Sequence, residues 1–217
     1  MSMRILLAFL GLLTLSAAAP VRDWTKTVSM APTGAYVLGN PRAPVKLVEY
    51  ASFTCSHCAA FSAESAGVLE GQMIRSGSTS LEFRHYVRDR LDLAAVMLAR
   101  CTGPRGMFAA TRAIFAAQSK WLNQAIQHDR TFGPSATLKD AADDSGLSAI
   151  VRARGLSEAA IAACLKDDAA IARVTAMTAA APAEIPGTPT FYINGKMVPR
   201  TASWAGLEPA LRAAGAK

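Results

Sequence analysis

Cys55 and Cys58 stand three residues apart in the run Cys55-Ser56-His57-Cys58, and that spacing admits two kinds of chemistry. Two thiols one helical turn apart can exchange with an external disulfide. Alternatively, they can form half of a zinc site, but a structural site draws four ligands, usually from two such pairs. This sequence has no second C-x-x-C motif, and His85 and His128 are isolated along the chain. No metal and no other cofactor are therefore expected, and thiol chemistry leads. Only a thiolate attacks sulfur, so what matters is which cysteine the surroundings ionise.

The flanking elements answer that. Residues 45–51, rich in β-branched and aromatic side chains, predict a buried strand, and residues 56–75 predict a helix that ends at Ser76-Gly77-Ser78. A C-x-x-C directly after a strand and at a helix start sits where the redox version of the motif belongs. Cys55 then lies at the helix N-terminus, where unpaired N–H groups and the helix dipole favour a thiolate. A protonated His57 would add positive charge beside it. Cys58, one turn in and less exposed, fits a resolving role. Because a stabilised thiolate favours the reduced form, the disulfide form becomes the better oxidant.

The rest of the chain supplies a frame for this pair. Leu81, Phe83, His85 and Val87 alternate with polar neighbours, which predicts a second strand parallel to the first. From Asp92 to about Ala183 the apolar spacing becomes helical, with Met97, Met107, Phe108 and Phe115 on core positions and caps expected at Ser157 and Asp167. A strand over 191–193 then turns at Asn194-Gly195, a strong short-range hairpin signal, and residues 203–214 predict a closing helix. Residues 20–44, punctuated by Pro and Gly, are expected to wrap the domain edge. Residues 1–19 read as a secretion signal: a basic start, an apolar run over 5–15 too short to span a bilayer, and Ala17-Ala18-Ala19 before an expected cleavage point after Ala19. The chain thus divides into a leader (1–19), an N-terminal extension (20–44), a first α/β part (45–91), a helical insertion (92–183) and a second α/β part (184–217).

Composition narrows the field further. The formal charge of +7 comes from scattered Lys and Arg with no basic run, which argues against a nucleic-acid partner. A content of 51% hydrophobic residues excludes a disordered chain. Four cysteines in an exported chain favour disulfide chemistry over free thiols.

The run Glu49-Tyr50-Ala51-Ser52-Phe53-Thr54-Cys55-Ser56-His57-Cys58 resembles the active-site strand and helix start of the DsbA-like thioredoxin family. The later run Gly187-Thr188-Pro189-Thr190-Phe191-Tyr192-Ile193-Asn194-Gly195 is similar to that family's cis-proline loop and hairpin. The resemblance covers nearly the whole mature chain. It implies an α/β thioredoxin-like fold with a large all-helical insertion, with Cys55 as nucleophile, Cys58 resolving and His57 tuning the pair. It also implies a cis Pro189 facing the disulfide, which would expose the Thr188 backbone for a substrate chain to pair with. Family members often carry Pro where Ser56 stands, and Thr before this proline also occurs in isomerase relatives.

Two further features keep two readings each. Glu49 is either an acid that relays protons to and from Cys58, as the resemblance suggests, or a strand-end carboxylate paired with a cation. Cys101 and Cys164 either bridge and staple the insertion or stay as small buried apolar residues. For function, the leading expectation is a monomeric periplasmic dithiol oxidase acting on exported protein thiols and recycled by an inner-membrane redox partner. A disulfide isomerase or reductase on the same fold is the nearest alternative. A thioredoxin-fold protein whose cysteines hold copper or another partner is the third, disfavoured by the lack of a Met- or His-rich tract.

Overall fold

A computed structural model of the chain describes residues 22–128 and 136–217, so the leader over 1–19 lies outside the described residues. Among the described residues six strands, β1 (Val28–Met30), β2 (Tyr36–Gly39), β3 (Val45–Ala51), β4 (Thr79–His85), β5 (Thr190–Ile193) and β6 (Lys196–Met197), form one sheet in the order β1-β2-β4-β3-β5-β6. Its centre is β3 (Val45–Ala51), flanked by β4 (Thr79–His85) in parallel and by β5 (Thr190–Ile193) in antiparallel pairing. Helix α1 (Ser56–Ser65) continues as π-helical turns over Ala66–Ile74, a stretch carrying Gly67 and Gly71, and returns the chain to β4. This makes the parallel β3-α1-β4 unit. Strand β6 (Lys196–Met197) closes the hairpin with β5, and Asn194 (φ 50°) and Gly195 (φ 81°) take the left-handed turn conformation that Asn-Gly tolerates best. The last helix (α9, Trp204–Ala213) packs against α1.

Residues 20–44 do more than wrap an edge. Within them β1 (Val28–Met30) and β2 (Tyr36–Gly39) form a hairpin, and β2 pairs antiparallel with β4 in the register Tyr36↔Phe83. The Pro and Gly residues that read as loop signals sit in the turns, while Tyr36, Leu38 and Gly39 bury against the sheet. Strands of only three or four residues leave too few alternations to be recognised locally.

The insertion is helical throughout its described residues: α2 (Arg90–Cys101), α3 (Gly103–Ala116), α4 (Gln118–Ile126), α5 (Leu138–Asp144), α6 (Leu147–Arg152), α7 (Glu158–Cys164) and α8 (Asp168–Ala179). Ser157 and Asp167 accept from the N–H groups of Ala160 and Ala170, so both cap as their sequence positions imply. The insertion shares one hydrophobic core with the sheet. Phe53 stacks on Phe115 at 4.8 Å, and Met97, Met107 and Phe108 are all buried in the same cluster.

Cys101 and Cys164 are joined, with Cα atoms 6.2 Å apart and a sequence separation of 63. The bridge ties α2 to α7. Closing so long a loop restrains the unfolded chain, so a Cys101→Ala/Cys164→Ala variant is expected to lose about 2–4 kcal/mol in urea unfolding while Cys55 keeps its acidity. A variant with unchanged stability would show that the bridge does not staple the insertion.

Candidate active site

The chain after β3 makes a short loop, Ser52-Phe53-Thr54, and delivers Cys55 as the N-cap residue of α1 with an extended backbone (φ −92°, ψ 118°). Cys55 is 4% exposed and Cys58 fully buried, and both are unbridged thiols. Opposite them, the Thr188–Pro189 peptide is cis. The Cys55 thiol donates to the Thr188 carbonyl at 3.1 Å, so the two segments quoted from the sequence meet at one sulfur although 133 residues separate them.

The electrostatics divide the two cysteines sharply. Cys55 is lowered from 9.0 to about 4, first by a hydrogen bond from the Cys58 thiol, then by the Thr188 hydroxyl and the backbone N–H groups of Cys58 and His57, all against the cost of burial. The Thr188 hydroxyl is buried and unpartnered in this geometry, close enough to the sulfur to bear on its ionisation. Cys58 moves far the other way, chiefly because burial penalises its charged form, with the Cys55 hydrogen bond and the Glu49 charge adding to it. One sulfur is held as the anion and the other as the thiol. The His57 imidazole is exposed, and the His57 backbone N–H is one of the groups that lower Cys55.

Glu49 sits on the α1 face of β3 and is 3% exposed. Its Oε1 has no hydrogen-bond partner, and no cation pairs with it among the described residues. Burial raises its carboxyl from 4.5 to about 8, helped by the charges of Cys55 and Glu70. An acid with such a value can hold or release a proton near neutral pH. Beside the cis-proline loop runs an apolar groove of about 430 Å³, lined by Gly187, Thr188, Pro189, Met197 and Val198 among others. His85 is buried against Phe53 and Phe83, and burial holds its imidazole neutral. Among the described residues no group of three His, Cys, Asp or Glu side chains could hold a metal ion.

Two site residues escape sequence reasoning. Asp92, at the start of α2, accepts from the Ser52 hydroxyl at 2.6 Å and from the Phe53 N–H at 2.7 Å. Gln118, the first residue of α4, donates to the carbonyls of Phe53 (2.7 Å) and Cys55 (2.9 Å). Neither stands at a telling distance from the C-x-x-C motif in sequence. The one available signal is that polar residues lie inside runs otherwise destined for the core.

Comparison with known proteins places this geometry. The Thioredoxin family profile matches residues 32–213. A Rickettsia conorii protein named as a protein-disulfide oxidoreductase is 31% identical over 163 residues, covering 73% of this chain and 53% of its own length. The chain thus spans about half the length of the curated relatives it matches. The crystal structure of a protein-disulfide isomerase from Novosphingobium aromaticivorans is 31% identical, with a TM-score of 0.75 over 82% of this chain and 95% of that one. That of Wolbachia pipientis alpha-DsbA1 is 25% identical, with a TM-score of 0.63 over 76% of each chain.

Proposed function

Since this chain belongs to the thioredoxin family, in its DsbA-like branch of thiol–disulfide oxidoreductases, we propose that it oxidises exported proteins by passing on a Cys55–Cys58 disulfide. What carries this reading is the placing of Cys55 at the N-cap of α1 opposite the cis Thr188–Pro189 peptide, where its pKa falls to about 4 beside a Cys58 held as the thiol. A site that prefers the thiolate prefers the reduced state, and so gives its disulfide away readily.

The exchange runs in two displacements. A substrate thiolate attacks Cys55 Sγ, the bond to Cys58 breaks, and the Cys58 sulfur leaves as an anion that takes up a proton. Glu49, the buried acid whose charge bears on Cys58, is the donor we assign. The substrate is then bound to Cys55 in a mixed disulfide, its backbone beside Thr188 and its neighbouring side chains in the apolar groove. A second substrate thiolate attacks the substrate sulfur, forming the product disulfide and releasing Cys55 as a thiolate. Two electrons stay with the Cys55–Cys58 pair, and an inner-membrane redox partner removes them. The chain acts as a monomer in the periplasm. The leader-like start and the Cys101–Cys164 bridge support an oxidising compartment, and among the described residues no helix is long and apolar enough to cross a membrane.

The test is a stopped-flow alkylation titration of the reduced protein together with oxidation of a reduced, unfolded substrate. Cys55 should titrate with a midpoint of about 4, and the Cys55 thiolate of Cys58→Ser, offered a disulfide-bonded substrate, should displace one substrate sulfur as a thiolate and accumulate the mixed disulfide. A Cys55 midpoint above 8, with no oxidation of substrate, would remove the reading. Thr188 before the cis proline and the isomerase name of the Novosphingobium protein favour a second reading, disulfide isomerisation. Reactivation of a scrambled ribonuclease by the reduced protein, without net oxidation, would select it.

A further inference from the structure

The loop that carries the reactive cysteine is held in large part by the helical insertion. Its own framework supplies only local bonds: the Cys55 N–H donates to the Ser52 carbonyl at 3.2 Å, and the Thr54 N–H to the Ser52 hydroxyl at 3.2 Å. Besides the Ala59 N–H on the Cys55 carbonyl and the Thr188 carbonyl at the Cys55 sulfur, its anchors come from the insertion or from its approach. Asp92 takes the Phe53 N–H and the Ser52 hydroxyl. Asp89 takes the Thr54 hydroxyl at 3.0 Å, and the Arg88 guanidinium reaches the Thr54 carbonyl at 3.3 Å. Gln118 alone spans two carbonyls on either side of Thr54, those of Phe53 and Cys55.

Gln118 is 6% exposed and Asp92 fully buried, so neither bond competes with water. A buried amide whose two donated bonds both end on one loop is costly unless that loop is held where those bonds need it. Asp92 is fixed in turn, since its N–H donates to the Asp89 carboxylate at 2.7 Å and its carboxylate also takes the Arg88 N–H at 3.0 Å.

We propose that Gln118 is a positioning residue for the thiol chemistry, with Asp92 as its counterpart across the loop. By fixing the Cys55 carbonyl, Gln118 holds the sulfur over the first-turn N–H groups of Cys58 and His57, which favour its thiolate. The helical insertion is then a working part of the active site, and the acidity of Cys55 is set partly by a residue 63 positions further along the chain. This deepens the oxidoreductase reading and rests on it for its biological meaning. The measurement itself needs no protein substrate, so either idea can fail alone.

The experiment is the pH profile of Cys55 alkylation by iodoacetamide in the full reduced chain, with thermal unfolding followed in parallel. Gln118→Met keeps the length of the side chain and removes both donors. Gln118→Glu sets a carboxylate against two carbonyl oxygens. Both variants should raise the Cys55 alkylation midpoint, Gln118→Met by about 1 (tenfold in acidity), the size of one well-placed hydrogen bond, and Gln118→Glu by more. Gln118→Asn, which keeps the amide but draws it back by one methylene, should fall between Gln118→Met and the wild type, and it carries the test if Gln118→Met does not fold. A lower melting temperature with the alkylation profile of Cys55 unmoved in these variants would overturn the proposal and leave Gln118 as scaffold only.

Discussion

Reduced protein should melt above oxidised protein at pH 7, and the order should reverse near pH 4. The reason is the linkage between ionisation and folding at one sulfur. Cys55 is lowered from 9.0 to about 4 in the folded, reduced state. For a group depressed in this way the contribution is full above the unfolded value and is lost as pH falls through the folded one. It approaches about 7 kcal/mol above pH 9 and still amounts to about 4 kcal/mol at pH 7. Oxidation forfeits that term and gains a cross-link, but a loop of four residues restrains the unfolded chain by only about 2 kcal/mol. The thiolate wins at pH 7 by about 2 kcal/mol, or about 4–8 °C in melting temperature for a chain of this size. The two stabilities cross between about pH 5 and 6, where the shrinking thiolate term meets the cross-link term. Calorimetry of both forms at pH 4 and pH 7 checks this. An oxidised form that melts higher at both pH values would mean that the Cys55 thiolate is not stabilised by the fold.

Glu49→Gln should stabilise the reduced protein above pH 8 by about 5 kcal/mol and slow the chemistry at the same time. The buried carboxyl moves from 4.5 up to about 8. For a group raised by folding, the benefit of the protonated form is complete below pH 4.5 and is lost as pH rises through 8. Wild-type stability therefore carries a downward slope across that window which the neutral amide removes, whereas below pH 4.5 the two proteins should be alike. The kinetic cost comes from the proton. Without an acid to protonate the departing Cys58 sulfur, mixed-disulfide formation should slow by about a hundredfold, the usual scale of a general acid. Urea unfolding at pH 4, 7 and 9, paired with stopped-flow reaction of the oxidised protein with a model thiol, separates the two effects. A variant with wild-type kinetics would show that Cys58 finds its proton elsewhere. Equal stability at pH 9 would show that Glu49 is not charged there at any cost.

These expectations differ in how far the linear chain foretells them. The C-x-x-C pair, its strand and its helix were legible because each rests on neighbours within about ten residues: a β-branched run, a turn, then a helical spacing. The Asn194-Gly195 hairpin was legible for the same reason. Strands β1 and β2 were not. They hold seven residues between them, and they exist because β4 offers an edge for β2 to join, a partner more than forty positions away. The asymmetry of the two sulfurs was foreseen in direction from the helix N-terminus, but its largest source is Cys58 itself, with Thr188 from the far end of the chain adding to it. His57 entered the expectation as a charge, and its backbone N–H also bears on Cys55, a contribution that its side-chain type does not announce.

By itself the sequence determined which atoms can react, that two of them share one helical turn, and that a helical block interrupts an α/β frame. Those properties are local, fixed by side-chain type and by the period of the backbone. Only the tertiary structure decided how acidic Cys55 becomes, how dry Glu49 is, and which residues hold the loop between them. Burial and hydrogen bonding depend on what arrives from elsewhere in the chain: Thr188 from the cis-proline loop, Asp92 from α2 and Gln118 from α4. No spacing rule relates those positions to Cys55, because packing, not periodicity, brings them to it.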